Sequence, residues 1–363
     1  MSDCLIIGGG IIGMLTAWEL QSAGMRVTLI ERRETGRESS WAGGGIVSPL
    51  YPWRYADSVT ALAGWSQSQY ADLARSLTQD SGIDPEYSQN GLLILEPGDD
   101  KQATAWAKET GQTLQLLNGH ETRECEPALA TTAETAVWMP RVAQIRNPRL
   151  VKATRLTIAP LVKIIEDAEV TELLVRDGRI TGIKTAGDHF EADRVVVCAG
   201  AWSGRLLQAM PMAPDISPVR GQMILFKGQP GDVSRIVLHE NRYVIPRRDG
   251  RVLVGSTLEH SDFKKTTSNE AREELKKYAI QHFPVLEDAG IEHHWAGLRP
   301  GSPHGIPYIG PVPEIKGLYI NSGHYRNGVV LAPASARLMA DVILEREPIL
   351  DPRPYAVDAP RED

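Results

Sequence analysis

Short runs that are apolar at every position alternate with stretches in which apolar residues return every three or four places. CLII, at 4–7, is such a run, and unbroken apolarity predicts a strand covered on both faces, as in a parallel sheet. From Ile11 to Ala23 the period becomes helical and stops at Gly24, and Arg26 to Ile30 reads as a second parallel strand. Val195 to Val197 and Leu318 to Asn321 are further buried strands, the latter followed by a polar glycine loop, Ser322 to Gly328, and a helix reaching about Leu344. Gln222 to Lys227, Tyr243 to Arg247 and Arg251 to Ser256 are also strand-like; Asp249-Gly250 joins the last two as a hairpin, and Glu270 to His282 follows as an amphipathic helix. In KATRLTIAPLVKIIEDAEV a helix ended by Pro160 leads to a strand carrying Val170. Strands alternating with helices predict an α/β chain, α+β overall.

The first strand, turn and helix carry chemistry. Gly8, Gly10 and Gly13 form G-x-G-x-x-G: the first allows the tight turn, the second lets backbone approach a pyrophosphate, and the third lets helix pack on strand. Ile11 and Ile12, in the first turn of the helix, offer free N–H groups at its positive end. Glu31 ends the second strand, where a carboxylate binds ribose hydroxyls and repels a 2′-phosphate, so a plain adenosine is expected despite Arg32 and Arg33. The unit predicts a dinucleotide and by itself fits FAD and NAD equally.

Other stretches narrow this. In ESSWAGGGIVSPL, Ser39 and Ser40 can donate to phosphate oxygens, and Gly43, Gly44 and Gly45, followed by Ile46, let backbone run flat against a ring. DRVVVCAGAWS ends a buried strand in Ala199-Gly200, a small-residue turn beside the cofactor crevice. The helix that follows Gly328 can aim its dipole at a flavin pyrimidine ring, where negative charge develops on reduction.

Composition removes whole classes of function. The formal net charge is −7 with no run of Lys or Arg longer than a pair, which leaves no basic stripe for nucleic acid. No stretch of about 18 apolar residues is present to cross a membrane. The first strand begins almost at Met1, leaving no room for a leader, and the three cysteines, Cys4, Cys125 and Cys198, lack C-x-x-C spacing; a cytoplasmic protein with reduced thiols is expected. His293-His294 resembles a metal pair, but neighbouring side chains diverge and no third ligand is spaced to join them, so no metal is expected.

The opening fingerprint, SSWAGGGIVSP, WAGLRPGSPHGIPYIGP and GHYRNGVVLAP together resemble the FAD-dependent glycine oxidase (thiamine biosynthesis) branch of the D-amino-acid oxidase and sarcosine oxidase superfamily, over nearly the whole chain. The resemblance implies a Rossmann-like FAD-binding domain, 1–85, 145–215 and 300–363, interleaved with a smaller substrate domain on an antiparallel sheet, 86–144 and 216–299. It also implies a homo-oligomer, commonly a tetramer. Val170 would lie near adenine, and Ala199 and Gly200 beside the cofactor, with His324, Tyr325, Arg326, Asn327, Gly328, Val329 and Val330 around the flavin; His324 would contribute chiefly backbone. No cysteine follows Cys198, so a covalent tether of the kind some sarcosine oxidases make in the C-terminal half is not expected, and FAD is expected to be noncovalent.

An α-amino acid oxidised at Cα needs a cation for its carboxylate and a planar electron acceptor near Cα. Arg299, in GLRPG, supplies a fork for two charge-assisted bonds, and the resemblance gives it that role. By resemblance Arg326 lies near substrate or flavin, the phenol of Tyr243 reaches the substrate carboxylate, and Asn241 and Leu258 face the pocket. The expected reaction is hydride transfer from Cα of a small amino acid to flavin N5, then hydrolysis of the imine and reoxidation by O2 to hydrogen peroxide. With glycine, the glyoxyl imine would enter thiazole synthesis. Two other readings stand beside it: a D-amino-acid dehydrogenase feeding a respiratory quinone, and a flavin module of RNA modification. Sequence does not rank glycine, sarcosine and small D-amino acids, since a methylene is worth only ~1–3 kcal/mol of discrimination.

Overall fold

The computed structural model describes residues 3–260 and 262–361; positions 1–2, 261 and 362–363 of the ranges above lie outside the described residues. The strand Cys4–Ile7 lies between Val27–Ile30 and Val195–Val197, parallel to both, and all its residues are buried. Lys163–Ile165 and Leu318–Ser322 extend this sheet in parallel on either side, and Tyr308–Pro311 closes one edge antiparallel. The helix Ile11–Ser22 is apolar nearly all round because it is covered twice, by the sheet and by the C-terminal helix Gly328–Ile343.

A nine-stranded sheet forms the second body, centred on the long pair Ser217–Phe226 and Ile291–Gly301. The sequence predicts it as antiparallel, and it is mixed: Ile236–His239 pairs parallel with Leu92–Leu95. Parallel neighbours need a long crossover, which the intervening chain supplies by passing through the first sheet. The Asp249-Gly250 hairpin forms as expected, joining Arg242–Pro246 to Val252–Gly255. A separate three-stranded sheet, Val170–Arg176, Arg179–Thr185 and His189–Glu191, was not legible as a sheet in the sequence; its strands alternate exposed and covered residues. Among the described residues no helix is long and apolar enough to cross a membrane.

One ion pair locks the chain after the second parallel strand. Glu166 accepts from Arg155 Nη2 at 2.8 Å and from the Thr35 N–H at 2.8 Å, and these bonds, Arg155 first, hold its carboxyl at about 2. A pKa depressed on folding stabilises the native state above the unfolded value, and that contribution disappears as pH falls through the folded one. The thermal midpoint of Glu166→Gln is therefore expected below that of the parent at pH 7 and to converge with it towards pH 2, as followed by circular dichroism.

Candidate functional site

A cavity of about 730 Å³ opens where the carboxyl ends of the parallel strands meet the face of the nine-stranded sheet. This is the place an open α/β sheet offers a ligand. At its floor the glycine turn is required by contact. Gly8 has φ +109°, and a Cβ there would fall 2.4 Å from the Cys198 carbonyl oxygen; a Cβ on Gly13 would fall 2.0 Å from the Gly8 oxygen. Gly8, Gly10, Ile11 and Ile12 line the cavity, whereas Gly13 sits beneath it as the helix-to-strand contact.

Glu31 lines the same end, 7% exposed, accepting from the Gly9 N–H at 2.7 Å and the Arg33 N–H at 3.1 Å. Burial raises its pKa, and the two N–H bonds oppose that rise. Arg32 and Val170 also line this end; the guanidinium of Arg32 stacks 3.5 Å above the ring of Trp202 and pairs with Glu38 at 2.6 Å. Trp202 is a wall residue that sequence reasoning missed; a tryptophan straight after the Ala199-Gly200 turn was its only signal.

Ser39 and Ser40 start a short helix, Ser39–Ala42, on the cavity wall. Ser40 Oγ accepts the Ile11 N–H at 2.9 Å, which leaves the hydroxyl proton free to donate. Gly44, Gly45 and Ile46 continue the wall, but the glycines answer to protein as much as to ligand: a Cβ on Gly45, at φ +78°, would fall 1.9 Å from the Ile145 oxygen, and one on Gly44 would touch Ile245 and Tyr243. Arg247, buried, donates to the Gly44 oxygen at 2.7 Å and so pins this wall to the nine-stranded sheet.

The opposite end is cationic. Arg299 and Tyr243 project from the nine-stranded sheet and Arg326 from a turn, Tyr325–Asn327, and all three line the cavity. Arg299 donates to Ser256 Oγ at 2.6 Å and to the Thr257 oxygen at 3.3 Å, and Arg326 to the Asn241 oxygen at 3.2 Å. Among the described residues, then, both guanidinium groups bond neutral acceptors only. Burial pulls the Arg299 pKa down, with Tyr243 opposing and Arg326 adding to the fall. The strands beneath are bare: Gly221 and Gly297 face each other in register and line the cavity, and a Cβ on Gly221 would fall 2.2 Å from the Arg299 guanidinium. Neither glycine was singled out from sequence, although glycine inside a strand marks close approach. Tyr243, 7% exposed, donates to Met223 Sδ at 3.9 Å.

Ala199, Gly200, His324, Tyr325, Gly328, Val329 and Val330 complete the wall. His324 does more than lend backbone: burial lowers its pKa to about 3, and its neutral ring meets Ser335 Oγ at 3.0 Å, tying the loop to the C-terminal helix. Three expected positions lie elsewhere. Asn327 is buried away from the cavity; Asn241 occupies a left-handed turn at φ 65° and contributes only its carbonyl to Arg326; Leu258 is 46% exposed on the surface. Asn241 stands in the turn before Arg242–Pro246 and Leu258 follows Val252–Gly255, so both lie beyond strand ends. His293 and His294 point apart on one strand, His294 towards Gln222.

A glycine oxidase of Pseudomonas aeruginosa is 50% identical over 355 residues, covering 97% of either chain. The bifunctional protein ThiO/ThiG of Synechocystis is 33% identical over 95% of this chain and 52% of its own length. The crystal structure of glycine oxidase from Geobacillus kaustophilus superimposes with a TM-score of 0.94 at 29% identity, covering 100% of this chain and 99% of that one. The family described as DAO, FAD dependent oxidoreductase, matches residues 3–342, and the chain belongs to it.

Proposed function

We propose that this protein oxidises glycine and other small amino acids, sarcosine and small D-amino acids among them, to the imine, which water hydrolyses to the oxoacid and ammonia, or methylamine from sarcosine, with O2 reduced to hydrogen peroxide. The observation that carries this is the half-buried Arg299, held by neutral acceptors, beside Tyr243 and Arg326 at one end of a cavity whose other end has the dinucleotide fingerprint. The residues present fit FAD: Gly8, Gly13 and Gly45 admit no Cβ and so keep the turn and the wall tight, Ser39 and Ser40 can donate to phosphate, Glu31 would meet the ribose, and Gly328, Val329 and Val330 would face the ring. When bound, FAD supplies the two-electron acceptor for the Cα hydride. Cys198 lines the cavity, but burial raises its thiol pKa far beyond the ordinary range, which supports noncovalent attachment.

Arg299 binds the substrate carboxylate through its fork and Tyr243 donates to the same group, which fixes Cα. The two guanidinium charges also disfavour a substrate ammonium and so present the amine neutral. Gly221 leaves room for the Arg299 guanidinium to lie against its strand, and Gly297 for the close approach of Ala42. On this reading the glyoxyl imine feeds thiazole formation for thiamine, which the ThiO/ThiG name of the Synechocystis relative supports. The protein would work in the cytoplasm as a homo-oligomer, a tetramer by family likeness; light scattering after gel filtration reads its mass.

The deciding experiment is the visible spectrum of the purified protein under anaerobic conditions, with glycine added and air admitted last. A flavin band that bleaches, then returns with peroxide, is the expected result. A band that glycine leaves oxidised while sarcosine or D-alanine bleaches it would transfer the substrate role; bleaching that air fails to reverse would point to a dehydrogenase. Ser256→Ala, which removes the 2.6 Å acceptor behind Arg299, should raise KM roughly tenfold with kcat little changed, in steady-state peroxide assays.

A further inference from the structure

The C-terminal helix carries Pro333 in its interior, buried in the core. A proline there cannot donate to the carbonyl four residues back, and its ring pushes that carbonyl aside. The carbonyl is that of Val329, a residue of the cavity wall. Both halves of the damage are repaired by one neighbouring helix, Asp57–Ser81. Its Tyr70 donates its hydroxyl to the Val329 oxygen, and its Ser66, one turn earlier, accepts the Ala334 N–H at 3.0 Å. Tyr70 and Ser66 are 0% exposed, so both bonds form away from bulk solvent.

We infer that Tyr70 and Ser66 are positioning residues for the redox site: by holding the kinked first turn of the C-terminal helix, they set how closely its N-terminus supports negative charge on the reduced flavin. The inference rests on the reading that FAD occupies the cavity with its ring against Gly328–Val330. A helix N-terminus acts as about half a positive charge whose effect fades within one turn, so a small displacement of that turn changes it. Tyr70 touches neither substrate nor flavin on this account and acts only through the helix.

The test is sulfite titration of the holoenzyme, because sulfite adds to oxidised flavin and leaves negative charge on the ring without turnover. Tyr70→Phe and Ser66→Ala are each expected to weaken sulfite binding roughly two- to fivefold, read from loss of the visible flavin band. The double variant Tyr70→Phe with Pro333→Ala regains an N–H for the Val329 oxygen and is expected to bind sulfite as the parent does. Should Tyr70→Phe yield no holoenzyme, Ser66→Ala and the double variant still read the same quantity. Parental sulfite affinity in both single variants, with only the unfolding temperature lowered, overturns the positioning role and leaves the cofactor reading intact. A parent that takes up FAD but forms no sulfite adduct overturns the inference, and one that takes up no FAD overturns the cofactor reading as well.

Discussion

Replacing Arg299 with Ala is expected to lower kcat/KM for glycine by about a hundred- to a thousandfold while FAD stays bound. Truncating one partner of a buried, hydrogen-bonded charge pair costs ~2–5 kcal/mol, and the substrate carboxylate would have to leave water with no cation of its own to meet. Arg326 does not compensate, because it stands on a different element and is directed to the Asn241 oxygen. Lysine should recover little: an ammonium is a point charge without a fork, whereas the guanidinium lies flat on Gly221 with Ser256 and Thr257 fixing its plane. The check is steady-state kinetics beside the flavin spectrum. Undiminished kcat/KM in Arg299→Ala would remove the carboxylate assignment, and loss of the flavin band would show that Arg299 supports the fold instead.

Gly13→Ala should be as damaging by another route. Its Cβ would stand 2.0 Å from the Gly8 oxygen, and Gly8 is itself held by its N–H bond to the Ile30 oxygen at 2.8 Å. Overpacking in a well-filled core costs ~1–3 kcal/mol, and backbone on both sides leaves no flexible side chain to give way. The helix must lift from the strand, which displaces its first turn, Ile11 and Ile12, from the cavity wall. Both the unfolding midpoint and FAD affinity should fall, measured by calorimetry and by fluorescence titration of the apoprotein. Gly64→Ala is the contrast: nothing lies within 4 Å of its Cβ, and alanine inside the helix Asp57–Ser81 should stabilise by ~0.5–1 kcal/mol.

Much of the site was legible because its signals are local. The glycines of the first turn, the carboxylate at the end of the second strand and the serines before the glycine wall belong to one strand-turn-helix-strand unit and the segment that follows it, whose spacing fixes where they fall. Arg299 was singled out by the chemistry an amino-acid carboxylate needs, and it lines the cavity. Residues missed, such as Gly221, Gly297, Trp202 and Arg247, have roles defined by a partner far away in sequence: Gly221 matters because a guanidinium from the neighbouring strand lies on it, and Arg247 because the Gly44 oxygen lies before it. Asn241 and Leu258 were misplaced for the same reason, since a strand end near the site can turn its side chains outward.

By itself the sequence determined the buried parallel strands, the dinucleotide turn, the hairpin at Asp249-Gly250 and the family, because apolar runs, glycine spacing and turn chemistry are short-range constraints. Only the tertiary structure decided that the second sheet is mixed, that two guanidinium groups share a cavity end with neutral partners, and that Tyr70 and Ser66 mend the break at Pro333. Each of these depends on which distant segments pack together, and packing over distances of a hundred residues or more is set by the summed burial of the whole core rather than by any local pattern.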